Sequence, residues 1–276
     1  MSTKNESIVV IGGSGKTGRR VAERLQARGV PARSASRSTE PSLHWEDRRT
    51  WAPALDGATA AYISFYPDLA VPRSADLIGS LAAVAVAGGT RRLVLLSGRG
   101  EEEAERAEQA LMASGAETTI VRCSWVMQNF DESYFAEPLA AGELALPAGD
   151  VREPFVDAED IADVAVAART EDGHAGKLYE LTGPRMLTFE EAVGEISRAT
   201  GRPLRYQPIP LEAFEAGLDE QGLPGDLVAL LRYLFTEVLD GRNQSLTDGV
   251  RRALGREPRE FSDYARRAAA AGAWSA

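Results

Sequence analysis

The chain has 276 residues, of which 44% are hydrophobic and 26% are charged, and its formal net charge is -10 at pH 7. This length and composition are typical of a globular protein with a large apolar core, and the negative charge argues against nucleic acid or an anionic membrane surface as a partner. The start MSTKNES lacks an apolar signal segment, and the most apolar window, Leu77 to Ala87, is too short to span a bilayer. We therefore expect a cytoplasmic protein.

Strand-like and helical patterns alternate through the first half of the chain. Apolar runs predict strands at 8–12, 30–36, 60–65, 92–97 and 118–122. Helical patterns predict three helices, of which the first follows the first strand and ends at residue 28, the second covers 75–87 and the third covers 101–114. This alternation predicts an α/β fold with a Rossmann-like, doubly wound parallel sheet. The acidic run EEEAERAE, residues 101–108, opens the last of these helices, and we interpret it as a solvated face whose carboxylates oppose the helix dipole.

The second half is predicted to be mostly helical. A helix that Asp157 can cap is expected within 155–168, and a strand is expected over 177–183. A further helix is expected after Thr188, which forms a capping box with Glu191. We expect residues 1–150 to form the sheet-containing core. Residues 151–276 are expected to form a smaller, mostly helical lobe that interleaves with the core in one compact unit.

Metal and disulfide chemistry is not expected. Cys123 is the only cysteine, so no internal disulfide can form, and its apolar setting IVRCSW predicts a small core residue. His44 and His174 are far apart in the sequence and show no zinc-ligand spacing, so no metal site is predicted.

The segment IVVIGGSGKTGRR, residues 8–20, joins the first predicted strand to the first helix. Its GGSGKT suggests a P-loop for a nucleoside triphosphate, but G-x-x-x-x-G-K-[ST] requires a glycine at position 10, where the sequence has Val10. A dinucleotide loop fits instead, because it needs glycines at a tight turn, at the diphosphate and where the helix packs on the strand. Either Gly12 or Gly13 can begin that pattern. The predicted cradle comprises Gly12, Gly13, Ser14, Gly15, Lys16, Thr17 and Gly18.

The end of the second strand predicts which dinucleotide binds. An NAD site places an acidic residue here to bind the ribose 2′-hydroxyl, whereas ARSASRST contains none. Arg37 lies here instead, flanked by Ser36 and Ser38. A guanidinium and two hydroxyls suit a 2′-phosphate, so the predicted cofactor is NADP(H).

Ligands of doubly wound sheets bind at the carboxyl ends of the strands. In this chain those ends carry Ser64, Phe65, Tyr66, Ser97, Gly98, Arg99, Ser124, Trp125, Met127, Gln128, Asn129 and Phe130. Ser97 and Tyr66 are candidate catalytic residues that could hydrogen-bond a substrate oxygen, although Ser97 could equally cap its loop or contact cofactor, and Tyr66 could simply line the pocket. Candidate substrate-binding residues are Tyr66, Trp125, Met127, Asn129 and Phe130, with core packing as an alternative for Met127.

A Tyr-x-x-x-Lys pair, in which lysine lowers the pKa of a proton-donating tyrosine, is absent. The lysines are Lys4, Lys16 and Lys177, and none follows a tyrosine by four residues. A consistent mechanism is hydride transfer to or from an already activated substrate, such as an iminium, a quinone or a conjugated enone, with the cofactor supplying the reactive chemistry.

Several segments together resemble one family. These are IVVIGGSGKTGRR, ASRS, HWEDRRTW, LVLLSGRGEEEAE, ASGAETTIVRCSWVMQNF, FVDAEDIADVA and YELTGP. They resemble the NmrA-like atypical short-chain dehydrogenases/reductases over nearly the whole chain, most of all the branch that contains the festuclavine and agroclavine dehydrogenases. The resemblance implies an NADP(H) site at Gly12, Gly15, Gly18 and Arg37, adenine near Glu46 and Asp47, and nicotinamide beneath Ser97 and Ser124 to Trp125.

The favoured function is an NADPH-dependent reductase of a small activated molecule, with a role in secondary metabolism. Because the resembling group includes non-catalytic regulators, an NADP(H)-binding redox sensor is an alternative. A redox-neutral isomerase or cyclase is a third. The sequence leaves the substrate, the reaction direction and the oligomeric state open.

Overall fold

A computed structural model of the chain describes residues 7–275. Its strands are β1 Ile8–Ile11, β2 Ala32–Ala35, β3 Ala60–Ile63, β4 Arg92–Gly98, β5 Glu117–Cys123, β6 Glu143–Leu146, β7 Lys177–Leu181 and β8 Arg205–Pro208. Its α-helices are α1 Lys16–Ala27, α2 Trp51–Leu55, α3 Ser74–Ala87, α4 Glu102–Met112, α5 Ala136–Ala141, α6 Ala158–Thr170, α7 Phe189–Thr200, α8 Leu211–Glu220, α9 Gly225–Tyr233, α10 Gly249–Leu254 and α11 Phe261–Ala270. Short 3-10 helices cover Arg48–Thr50 and Met127–Asn129, and a π-helical turn covers Leu234–Val238.

Six strands form one parallel sheet in the order β2-β1-β3-β4-β5-β7. Strand β1 pairs with β2 on one side and β3 on the other, which makes this the point where the strand order reverses. All four residues of β1 and of β3 are buried, as expected for strands covered on both faces. The predicted doubly wound α/β fold is confirmed. In such folds the ligand crevice lies at the carboxyl ends of the strands where their order reverses, which in this sheet is between β1 and β3.

The chain folds into two compact units. The first contains the described residues up to Cys123 together with Ala158–Leu181 and Asp248–Arg256. The second contains Ser124–Asp157, Thr182–Thr247 and the described residues from Glu257 onward.

The observed division differs from the expected boundary at residue 150, because two later segments return to the first unit. Strand β7 completes the sheet by pairing with β5. Helix α6 lies against α1, where Arg20 contacts Glu159 at 2.6 Å and Arg24 contacts Asp163 at 2.6 Å. Both the sheet pairing and the ion pairs join residues far apart in the sequence.

The second unit is built around aromatic side chains. Phe130 lies 5.4 Å from Phe155 and 5.4 Å from Phe261 between ring centroids, both in edge-on geometry. Phe189 packs edge-on against Phe155 at 5.2 Å. Such pairs add about 0.5 to 1.5 kcal/mol each beyond the apolar area that they bury. None of the helices within residues 7–275 is long and apolar enough to cross a membrane.

The predicted capping box at α7 is confirmed. The Thr188 hydroxyl accepts a hydrogen bond from the Glu191 backbone N–H at 3.1 Å, and the Glu191 carboxylate accepts one from the Thr188 N–H at 2.9 Å. Each bond satisfies a donor that the first helical turn would otherwise leave unpaired.

We expect Thr188→Ala to lower the free energy of unfolding by about 1 kcal/mol, since it removes the side-chain acceptor of this cap. Thr188→Ser keeps a hydroxyl at the same position and is the matched control. Urea denaturation of the two variants and the parent protein measures the effect, and equal destabilisation by serine and alanine would contradict the capping role.

Candidate functional site

The first predicted site element is the turn between β1 and α1. Gly12 adopts a left-handed φ of +76°, a conformation that favours glycine. Its N–H donates to the Ala35 carbonyl at 2.9 Å, and its carbonyl accepts from the Gly15 N–H at 2.9 Å. The turn therefore leaves β1 abruptly and brings the chain into α1 within four residues.

Close packing around this turn excludes side chains at two further glycines. A Cβ on Gly18 would lie 2.1 Å from the Gly12 carbonyl oxygen, and a Cβ on Gly13 would lie 2.5 Å from the Cβ of Ser34. Gly12 and Gly13, the two alternative starts of the sequence pattern, are therefore both required.

The amino end of α1 presents backbone to solvent. Ser14 and Gly15 are exposed, the helix begins at Lys16, and no acidic residue occupies its first turn. Thr17 is buried and accepts a hydrogen bond from the Tyr62 hydroxyl at 3.0 Å, so its side chain faces the interior. A helix start of this kind attracts an anion, because its N–H groups and its dipole both favour negative charge.

Arg37 and Tyr66 are brought together by the fold. The Arg37 guanidinium lies over the Tyr66 ring, 4.6 Å from its centroid, and the ring is 60% exposed. Ser36 and Ser38 lie beside this pair with their hydroxyl oxygens 3.2 Å apart. Tyr66 therefore contacts the residue predicted to bind the 2′-phosphate, and its cation–π contact holds the guanidinium in place.

The segment predicted to lie near adenine folds beside the end of β3. The Trp45 ring lies 4.5 Å from that of Phe65. Asp47 caps the following 3-10 helix, and its carboxylate accepts two hydrogen bonds from the Arg49 side chain at 2.9 and 2.8 Å. These bonds lower the pKa of Asp47 to about 2. Glu46 is exposed, and the contact of both acids with adenine stays a prediction.

Ser97, predicted as a candidate catalytic residue, is 4% exposed, and its hydroxyl donates a hydrogen bond to the Glu108 carboxylate at 2.6 Å. Glu108 also binds the Arg122 guanidinium, with Nε at 2.9 Å. In the described part of the chain the fold thus joins Ser97 to Glu108 and Tyr66 to Arg37, rather than the two candidates to each other. The Ser97 hydroxyl is therefore bonded between β4 and α4, and its contact with cofactor or substrate stays a prediction.

The interpretation of residues 101–108 as a solvated face is wrong for both ends of the run. Glu101 is 8% exposed and Glu108 is 2% exposed, whereas Glu102 and Glu105 between them are exposed. Helical periodicity predicts that one face of this segment is exposed. The burial of Glu101 and Glu108 depends on tertiary contacts, which the periodicity does not indicate. Glu108 pairs with Arg122 of β5, and the Glu101 carboxyl packs on Gly98.

The remaining residues at the strand ends have defined partners. Ser64 lies against Gly12, since a Cβ on Gly12 would lie 2.9 Å from the Ser64 carbonyl oxygen. The Arg99 side chain binds Glu180 at 2.7 Å. Cys123 is buried, as predicted, and burial raises the pKa of its thiol.

The candidate substrate residues of the second unit divide by burial. Met127 and Phe130 are 0% exposed, which assigns them to the aromatic core rather than to an open wall. Ser124 is also buried and donates to the Pro154 carbonyl at 2.6 Å, and Gln128 donates to Asp157 at 2.8 Å. Trp125 and Asn129 keep part of their surface exposed.

Comparison with known proteins identifies relatives of similar length. The chain is 28% identical over 286 residues to an NAD(P)H azoreductase of Xenophilus azovorans, covering 96% of this chain and 98% of that protein. It is 28% identical over 276 residues to the agroclavine dehydrogenase of Claviceps fusiformis, covering 94% and 96%. The fold matches the triphenylmethane reductase of Citrobacter sp. solved with NADP(H), with a TM-score of 0.79, 18% identity, and coverage of 95% and 99%.

A family model agrees with these likenesses. Residues 104–264 match the model of the NmrA-like family. That match spans more than half of the 276-residue chain. The chain therefore belongs to the NmrA-like family.

Proposed function

We propose that the protein is an NADPH-dependent reductase of a small, electron-poor molecule. The observation that carries this proposal is the glycine turn, which leaves no room for a side chain at Gly12, Gly13 or Gly18 and exposes the backbone at Gly15. A tight turn before an uncapped helix start fits a diphosphate. When bound, the reduced cofactor supplies a hydride equivalent, and the chain supplies binding and orientation.

The pair formed by Arg37 and Tyr66 supports NADPH over NADH. An exposed guanidinium, held over a ring and flanked by Ser36 and Ser38, can bind a 2′-phosphate through charge-assisted hydrogen bonds. Tyr66 therefore serves the adenosine end of the cofactor in this proposal. Trp125 and Asn129 remain the proposed substrate contacts in the second unit.

The relatives of similar sequence support an oxidoreductase function. Because their names indicate different substrates, we propose a class of substrate and not a single compound. One is named an azoreductase and another an agroclavine dehydrogenase. The latter supports a role in secondary metabolism. We propose an acceptor that is already activated, such as an iminium, a quinone or a conjugated enone.

The reductase is tested by NADPH consumption with panels of quinones and iminium compounds, read as loss of NADPH absorbance. We expect turnover with at least one class. Tight NADPH binding without turnover across the panels would favour the redox sensor. Substrate loss without net NADPH consumption would favour the isomerase or cyclase.

Gly18→Ala is expected to abolish detectable NADPH binding, because the new methyl group would overlap the Gly12 carbonyl and push α1 away from the turn. Gly217→Ala is the matched control, since Gly217 lies in α8 with open space around its Cβ position. That change should be neutral or stabilise the protein by up to about 1 kcal/mol. Calorimetric titration and thermal melting check both variants, and unchanged cofactor affinity in Gly18→Ala would contradict the proposed cradle.

Arg37→Ala is expected to weaken NADPH binding about tenfold or more while leaving NADH binding nearly unchanged, since a charge-assisted hydrogen bond contributes about 1.5 to 3 kcal/mol. Arg28→Ala removes an exposed arginine just past the other end of α1 and should affect neither cofactor. Fluorescence titration with both cofactors measures the four affinities. Equal losses of NADPH and NADH affinity in Arg37→Ala would show that Arg37 does not bind the phosphate.

A further inference from the structure

Glu101 is a buried carboxyl group with one unpartnered oxygen. It lies directly before α4, just past the carboxyl end of β4, and its side chain folds back onto Gly98. A Cβ on Gly98 would come within 2.0 to 2.2 Å of the carboxyl oxygens and carbon, so only glycine admits this conformation. Among the described residues, Oε2 of Glu101 has no hydrogen-bond partner.

Asp68 forms a side-chain hydrogen bond with this carboxyl group. It follows β3, keeps part of its surface exposed, and accepts a hydrogen bond from the Ala70 N–H at 2.9 Å. Burial raises the pKa of both carboxyl groups, and the hydrogen bond between them lowers the pKa of Asp68 and raises that of Glu101 further. This is the sign expected when Glu101 holds the proton and Asp68 accepts it.

The surroundings of the pair favour a protonated Glu101. Burial is the largest cause that raises the pKa of Glu101 well above its ordinary value, and the charges of Asp68 and of Glu108 on α4 raise it further. Cys123, at the end of β5, interacts with Glu101 electrostatically, and Lys16 of α1 faces Asp68. Burial also raises the pKa of Asp68, while Lys16 lowers it. These groups come from α1, β3, α4 and β5, which places the pair at the ligand edge of the sheet.

We propose that Asp68 and Glu101 form a two-carboxyl proton relay, in which Glu101 donates a proton to the substrate and Asp68 returns one to Glu101. The proposal rests on the proposed reductase function. It supplies the acid that the chain otherwise lacks, because no Tyr-x-x-x-Lys pair occurs and the Ser97 proton is committed to Glu108.

The chemistry balances for a neutral acceptor such as a quinone or a conjugated enone. Its reduction adds one hydride equivalent from NADPH and one proton. The O–H bond of the Glu101 carboxyl group breaks as the new bond between hydrogen and the substrate oxygen forms, which leaves both acids as carboxylates. Asp68 then takes a proton from water at its exposed side and passes it to Glu101, which restores the starting state. A cationic acceptor, such as a triarylmethyl cation, is neutralised by the hydride equivalent alone and needs no acid.

This difference between acceptors gives the test. Glu101→Gln is expected to lower kcat for a neutral quinone by about 10²- to 10⁴-fold, the range of general acid catalysis. Reduction of a cationic triarylmethane dye and the Kd for NADPH should change by less than about threefold. Asp68→Asn should slow quinone reduction less, because it removes only proton return. Glu102→Gln, which changes the neighbouring exposed carboxylate, is the matched control and should leave both reactions unchanged.

A second readout does not depend on activity. At pH 7 infrared spectra of the parent protein should show the C=O band of a protonated carboxyl group, which Glu101→Gln removes and Glu102→Gln retains. Absence of that band in the parent protein would overturn the relay. Equal slowing of both acceptors by Glu101→Gln, or no slowing of either, would also overturn it. Failure of the parent protein to reduce any acceptor would overturn the reductase function instead.

The raised pKa of Glu101 also predicts a pH dependence of stability. The folded state holds this proton more tightly than the unfolded state, so its contribution is fully present below the ordinary carboxyl pKa and is lost as pH rises through the folded-state pKa. Glu101→Gln cannot ionise. Its melting temperature should therefore fall less than that of the parent protein or Glu102→Gln between weakly acidic and alkaline pH, and parallel curves for all three would contradict a protonated Glu101.

Discussion

Helix α1 begins so close to the end of β1 that one methyl group at Gly18 would overlap the Gly12 carbonyl oxygen. This contact fixes the helix start relative to the sheet, because β1 is itself held between β2 and β3. Close packing then determines the conformation of the rest of this turn. The left-handed turn at Gly12, the missing Cβ at Gly13 and the exposed backbone at Gly15 all follow from bringing the chain into the helix within four residues.

A protein with a net charge of -10 that binds an anionic cofactor must control the carboxylates near its ligand edge. The structure does this in two ways. Glu108 forms an ion pair with Arg122 and accepts a hydrogen bond from the Ser97 hydroxyl, so its charge is compensated within the first unit. Among residues 7–275 no cation pairs with Glu101, and burial raises the pKa of its carboxyl group, so in our proposal it keeps its proton beside Asp68. Only the second solution leaves a proton that can be transferred.

Short-range steric rules made the glycine turn between β1 and α1 predictable from the sequence. The turn depends on residues that are neighbours in the sequence, namely a strand, three spaced glycines and a helix. The capping box likewise joins Thr188 to Glu191, only three residues away. The buried acids were not predictable in this way. Burial of Glu101 requires Gly98 beneath it and Asp68 from a different strand end, and helical periodicity carries no signal of either. The pairing of β7 with β5 is non-local too, which is why a boundary at residue 150 looked natural in the sequence.

The return of β7 to the sheet has a consequence for synthesis on the ribosome. Strand β5 is complete at Cys123, but its outer neighbour ends only at Leu181. Until that later segment emerges, the nascent sheet carries an open edge of unpaired backbone groups, which is a site for misassembly between growing chains. We therefore expect two factors to affect how much newly made protein reaches its native fold. These are the speed at which the ribosome translates the residues between β5 and β7, and the binding of chaperones to the nascent chain during that time.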